Sequence, residues 1–264
     1  MRPLLRLQRS LLAVPSGRNP AFDPLHPASA TPRFSGVSVG GNFINLMNAK
    51  KGVLNGTPIP VISPGIGVSS QMSGATTEIA FPGAFAAVVE LPMTMAMIIE
   101  FGAVTGSPGV FQTGTNTGGW DFHINGTTMR ITAANVSDND LTGMTVAAGI
   151  PYFAAVSATS AGIKGVLTNL QTGQITTGTH AAQTPGSTNG TITLGENNSA
   201  NFTMAAAMTS GAALSAAQLL EWAQDPWSFW YPPTFDLSMM LRAVVGSNFV
   251  PHNPWPQIGP LIAQ

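Results

Sequence analysis

The acid–base chemistry open to this chain rests on few groups. Its carboxylates are Asp23, Glu78, Glu90, Glu100, Asp121, Asp138, Asp140, Glu196, Glu221, Asp225 and Asp236, and its histidines are His26, His123, His180 and His252. A retaining glycosidase needs two carboxylates about 5 Å apart, which alternate residues of one strand provide. Only Asp138 and Asp140 stand at that spacing. With Asn139 between them they form a candidate oxygen site for a hard cation, or a polar turn that bonds its own backbone. Asp121 and His123 alternate on one strand face and so form a candidate carboxylate–imidazole pair, with the alternative of a solvated strand face. No G-x-S-x-G elbow supplies a nucleophile, and no glycine-rich phosphate loop follows a strand. His26, His180 and His252 lack metal-ligand spacing. Glu196, Asn197, Asn198 and Asn201 crowd one loop with amides and a carboxylate, the groups that hold a sugar. Trp227, Trp230 and Trp255 either stack on sugar rings or pack the chain's own core. These residues imply no cofactor, no metal beyond the Asp138/Asp140 candidate, and no enzyme activity.

Composition restricts the partners. Of 264 residues only 8% are charged, against about 25% in an average protein, and the formal net charge is −1. Three lysines, Lys50, Lys51 and Lys164, give no basic face for nucleic acid. A surface so poor in charge suits a protein covered by other subunits or an extracellular β-protein with neutral polar groups. Cysteine is absent, which excludes disulfides, thiol catalysis and cysteine–zinc sites. The run Phe85–Phe101 is the most apolar, but Glu90, Pro92 and Glu100 interrupt it, so it reads as a buried strand rather than a bilayer span. In that strand Met95, Met97 and Ile99 share one face and Thr94, Ala96 and Ile98 the other.

The elements that position these residues are short strands. Trp120, Phe122 and Ile124 alternate with Asp121, His123 and Asn125, and Asn125-Gly126 reads as a type I′ hairpin turn. Similar stretches recur through Phe202–Ala207 with turns at regular spacing, while Thr57–Ala75, rich in Gly, Pro and Ser, reads as a surface connection. Near the end the pattern changes. Ser215 caps a helix and Gln218 completes a capping box; Leu219, Leu220 and Ala223 share a face, and Pro226 stops it. Trp222, Trp227, Phe229, Trp230 and Tyr231 then need an apolar surface to lie on.

That closing stretch, ALSAAQLLEWAQDPWSFWYPP, resembles the end of the concanavalin A-like (LamG-type) jelly-roll domains of tailed-phage virion proteins, with Asp225 where Asn is usual. NPAFDPLHPA and INLMNAKKGVLNGTP are similar to the segments that open them, so the resemblance covers about Asn19–Pro233. It implies an all-β, two-sheet antiparallel jelly-roll sandwich with one short C-terminal helix.

The expected organisation is an extended N-terminal arm (1–33), the sandwich (34–233) and a Pro-rich C-terminal extension (234–264). The arms carry apolar and basic residues suited to subunit contacts: Leu4, Leu5, Arg6, Arg9, Leu11 and Leu12 at one end, Phe249, Trp255, Ile258 and Leu261 at the other. The expected function is a non-enzymatic virion protein, a head decoration protein or an accessory of the tail or baseplate. Its partners would be capsid or tail subunits, as a homo-oligomer or lattice-bound copy, with neither nucleic acid nor membrane. The alternative is a lectin-like, glycan-binding receptor-recognition module of a tail fibre.

Overall fold

The computed structural model describes residues 23–39, 41–74, 77–115, 118–133, 139–195 and 200–230. A 3-10 turn at Pro27–Ala30 precedes the strands. The first seven are β1 (Pro32–Ser38), β2 (Phe43–Asn45), β3 (Lys50–Lys51), β4 (Val53–Asn55), β5 (Ile59–Ser63), β6 (Gly67–Gly74) and β7 (Glu78–Phe81). Then come β8 (Met93–Phe101), β9 (Gly109–Thr115), β10 (Gly118–Asn125), β11 (Thr128–Ala133) and β12 (Asn139–Thr145). The last five are β13 (Pro151–Thr159), β14 (Gly162–Asn169), β15 (Ile175–His180), β16 (Ile192–Leu194) and β17 (Ala200–Ser210), followed by helix α1 (Ala216–Gln224).

The strands form two antiparallel sheets, a jelly-roll-like sandwich. The ten-stranded sheet runs β15-β14-β13-β8-β17-β1-β2-β3, with β6 also on β17 and β5 on β6; the seven-stranded sheet runs β12-β11-β10-β9-β16-β7-β4. Strands β8 and β13 are apolar on both faces because both faces are covered. Met93, Met95, Met97, Ile99 and Phe101 of β8 enter the core between the sheets, with Trp120, Phe122 and Ile124 opposite. Ala96 and Ile98 enter a second core on the far side.

Helix α1 and the aromatic run build that second core. Ser215 accepts from the Gln218 amide while the Gln218 side chain accepts from the Ser215 amide, so the capping box forms. The Asp225 amide closes the other end on the Trp222 carbonyl. The buried face is Leu219, Trp222 and Ala223. Leu220 is 37% exposed, because one position past Leu219 turns it about 100° away from the sheet. Trp222 packs against Phe153, Phe229 and Trp230. Trp227 and Trp230 are 5% and 0% exposed, so neither is a sugar platform.

The described part of the expected N-terminal arm, residues 23–33, packs on the chain's own sandwich. The Asp23 amide donates to the Phe229 carbonyl at 3.0 Å. His26 sits edge-on to Trp222 (centroids 4.4 Å) and Phe229 (5.3 Å), and its Nδ1 accepts from the Ala28 amide.

Two local expectations are corrected. Thr57–Ala75 contains the β5–β6 hairpin, paired from Ile59↔Gln71 to Ser63↔Gly67; turn-rich composition concealed a ladder in which Ile59, Pro60, Ile62 and Val68 are exposed. At the β10–β11 turn, Asn125 pairs with Thr128, so Gly126 and Thr127 are the central residues. Gly126 alone of the turn residues has positive φ (57°), as type II′ requires and type I′ does not.

Trp222→Ala should cost about 3–5 kcal/mol in chemical denaturation, whereas Leu220→Ala should stay within about 1 kcal/mol. Equal losses at the two positions would contradict this packing.

Candidate functional site

The outer face of the seven-stranded sheet, which α1 does not cover, is a polar sheet face open among the described residues. Its register sets out polar side chains in rows. Thr132, Asp121, Gln112 and Thr193 lie opposite one another on β11, β10, β9 and β16. At about 4.8 Å per strand this row spans about 14 Å. Ala80 and Val53 continue it on β7 and β4. The neighbouring row pairs His123 with Arg130 and Arg130 with Asp140. Gly119 allows the close pairing of β9 and β10: its φ is +92°, and a Cβ there would overlap the Thr113 carbonyl oxygen.

The charged groups on this face occur in pairs. His123 Nδ1 lies 3.0 Å from Asp121 Oδ2, the two side chains 7% and 22% exposed. The imidazole is thus buried, not on a solvated face, because it lies low between flanking strands. The approach is not a directed hydrogen bond: His123 Nδ1 and Asp121 Oδ1 both lack a hydrogen-bond partner among the described residues. Arg130 Nε donates to Asp140 Oδ1 at 2.7 Å. That bond above all, with the guanidinium charge, the Asn125 amide and His123, holds the Asp140 carboxyl below its ordinary value against the opposing effect of burial. Asp140 is therefore committed to Arg130. Its expected partner Asp138 lies outside the described residues, and no group of three or more metal-ligating side chains occurs among those described.

The other expected site residues are not gathered here. Asn201 is the second residue of β17 in the ten-stranded sheet, its carbonyl accepting from the Gly102 amide, whereas Asp121 and His123 lie in the other sheet. Glu196, Asn197 and Asn198 lie outside the described residues. So do the arm residues Leu4, Leu5, Arg6, Arg9, Leu11, Leu12, Phe249, Trp255, Ile258 and Leu261.

A second constellation was missed by residue patterns. Glu90 is fully buried, with Arg33 Nη1 3.2 Å from Oε1 and the Thr113 hydroxyl donating to Oε2. The Trp120 indole donates to the Glu90 carbonyl at 2.9 Å, and Arg33 lies over the Phe85 ring. Burial pushes the Glu90 carboxyl up to about 7, against the lowering effect of Thr113 and Arg33. The one hint in sequence is a glutamate inside the apolar run AAVVELP. Its partners come from β1 and β9, far away in the chain.

No protein-family model matches this chain, and no curated protein matches it in sequence. Solved structures do. One is botulinum neurotoxin type C, whose uptake by cells depends on interaction with two ganglioside molecules (TM-score 0.55, 9% identity, 74% of this chain and 51% of that one). Another is the receptor-binding domain of type G (TM-score 0.53, 11% identity, 75% and 52%). A third is the binding domain of type DC with rat synaptotagmin II (TM-score 0.55, 10% identity, 74% and 52%). The likeness is one of fold. This chain spans about half the length of those structures. No described helix is long and apolar enough to cross a membrane.

Two buried groups titrate in opposite senses. Glu90 has a raised value, so its contribution to stability is complete below about 4.5 and is lost as pH rises through about 7. His26 is lowered to about 4, mainly by burial, against the charges of Asp23 and Glu221. Its contribution is complete above its ordinary value and is lost as pH falls through about 4. In the native chain the two offset one another across this range. Glu90→Gln should remove the offset and make stability fall toward acid; His26→Gln should leave stability falling by about 3 kcal/mol from pH 4.5 to 7. Denaturation midpoints against pH test this, and identical slopes in both variants would refute it.

Proposed function

We propose that this chain is a non-enzymatic structural and binding component of a tailed-phage virion, a head decoration protein or an accessory of the tail or baseplate. The sandwich is its rigid body. Its chain ends seat on neighbouring subunits, and its free sheet face points outward. One observation carries this reading: α1 and its aromatic layer cover the central strands of the ten-stranded sheet, while the outer face of the seven-stranded sheet is polar and open to a partner. The hydrogen bond between Asp23 and Phe229 supports the attachment half. It holds the first and last described stretches together on the α1 side, away from that face. The carboxylates support a binding rather than a catalytic role. Asp140 is held by Arg130, Glu90 by Arg33 and Thr113, and Glu100 accepts from Ser63.

A glycan-recognition role for the open face, as in the receptor-recognition part of a fibre, is the second reading. The row of amide, hydroxyl and carboxylate groups favours it. So does the ganglioside dependence of a neurotoxin that shares the fold. On this reading the virion is the location and a host glycan the outer partner.

Residues 23–33 pack on the sandwich, so the informative truncation removes residues 1–22 alone. It should leave the melting temperature unchanged and abolish incorporation into particles, measured by quantitative mass spectrometry of purified virions. Hundreds of copies of the full chain per particle indicate the head, and about a dozen the tail. Absence from particles would overturn the virion reading, and normal incorporation of the truncation would overturn the role of the N-terminal segment.

A further inference from the structure

We infer that the ligand of the seven-stranded face is a neutral oligosaccharide about three sugar units long, lying across β11, β10, β9 and β16, and that this face rejects sialylated and other anionic glycans. The inference rests on the glycan reading of the face and adds the ligand's charge class, length and direction. Length and direction follow from the register. Thr132, Asp121, Gln112 and Thr193 form one straight row perpendicular to the strands, and its ~14 Å extent is that of a short linear glycan. The row ends at Ala80 and Val53, which offer no polar group.

The chemistry of the row is that of hydroxyl recognition. Asp121 is the half-buried member of its pair, its side chain 22% exposed, and His123 lies buried against it with Nδ1 3.0 Å from Oδ2. A sugar hydroxyl donates and accepts at once, and so suits a row of carboxylate, amide and hydroxyl groups. Gln112 and Thr193 extend the same chemistry along the row.

The charge balance decides against acids. Three carboxylates, Asp121, Asp140 and Glu78, hold outward positions on the seven strands, against the guanidinium of Arg130. Arg130 is already bonded to Asp140. An incoming carboxylate or sulfate meets like charge on both sides and no uncommitted cation among the described residues of this face. Repulsion of this kind costs about tenfold or more in affinity. Aromatic platforms are also missing from the row, so a single site should bind weakly, at about millimolar Kd, and many copies on one particle would supply avidity.

The test presents the full chain multivalently on streptavidin to an array carrying glucan, galactan and N-acetyllactosamine probes, each also in terminally sialylated or sulfated form. Neutral probes should bind at least tenfold better than their anionic counterparts. Gln112→Ala should weaken neutral binding several-fold at unchanged melting temperature. Glu78→Gln, which leaves the row intact, should narrow the gap between neutral and sialylated probes. Equal or stronger binding of the anionic forms would overturn the charge inference and leave glycan recognition standing. Binding indifferent to Gln112→Ala would overturn the placement on this row. Binding to no probe at all would overturn glycan recognition itself.

Discussion

The structure depends on one constraint: the central strands of the ten-stranded sheet are apolar on both faces. A sheet of a simple sandwich needs one apolar face and turns the other to water. Here Met95, Met97 and Ile99 look one way and Ala96 and Ile98 the other, and Phe153 joins the second set. The outer face therefore needs cover. Helix α1, Trp227, Phe229 and Trp230 supply it, pinned by hydrogen bonds from the Thr168 hydroxyl to Ala223 and from the Leu214 amide to Ser157. The segment around His26 then lies on this aromatic layer. Covering the central strands on the α1 side leaves the outer face of the seven-stranded sheet polar and open, so a packing requirement decides which side of the sandwich carries the aromatic layer.

Scarcity of charge gives the remaining polar groups their weight. Several of the chain's acids have named partners, and those pairs hold strands and connections together. Arg33 and Glu90 tie β1 to the connection before β8; Arg130 and Asp140 tie β11 to β12. Exposed pairs of this kind add little to stability, whereas a buried carboxylate such as Glu90 makes stability depend on protonation. On the open face, the same scarcity leaves hydroxyls and amides as the principal polar groups.

Legibility in sequence followed the range of the interactions. The capping box Ser215/Gln218, the end of the helix before Pro226 and the two-faced burial of β8 were readable, because each depends on residues a few positions apart. The assignment of Leu220 to the buried face was wrong because the aromatic Trp222, not a second leucine, fills the groove over β13 and β14. The β5–β6 hairpin escaped notice because glycine, proline and serine satisfy a backbone ladder without the alternation that marks a strand. Asp121 and His123 were legible as a pair, but their burial was not, since it depends on strands that flank β10.

Residue order alone carries the class of fold, the position and limits of helix α1, and the lack of cysteine chemistry. These follow from period, capping and composition, all of them local or additive. Long-range packing sets which sheet α1 covers, brings Glu90 to Arg33 and Thr113, and stands Thr132, Asp121, Gln112 and Thr193 in one row. Those relations arise where strands distant in sequence are brought into register, and no single stretch of the chain encodes that register.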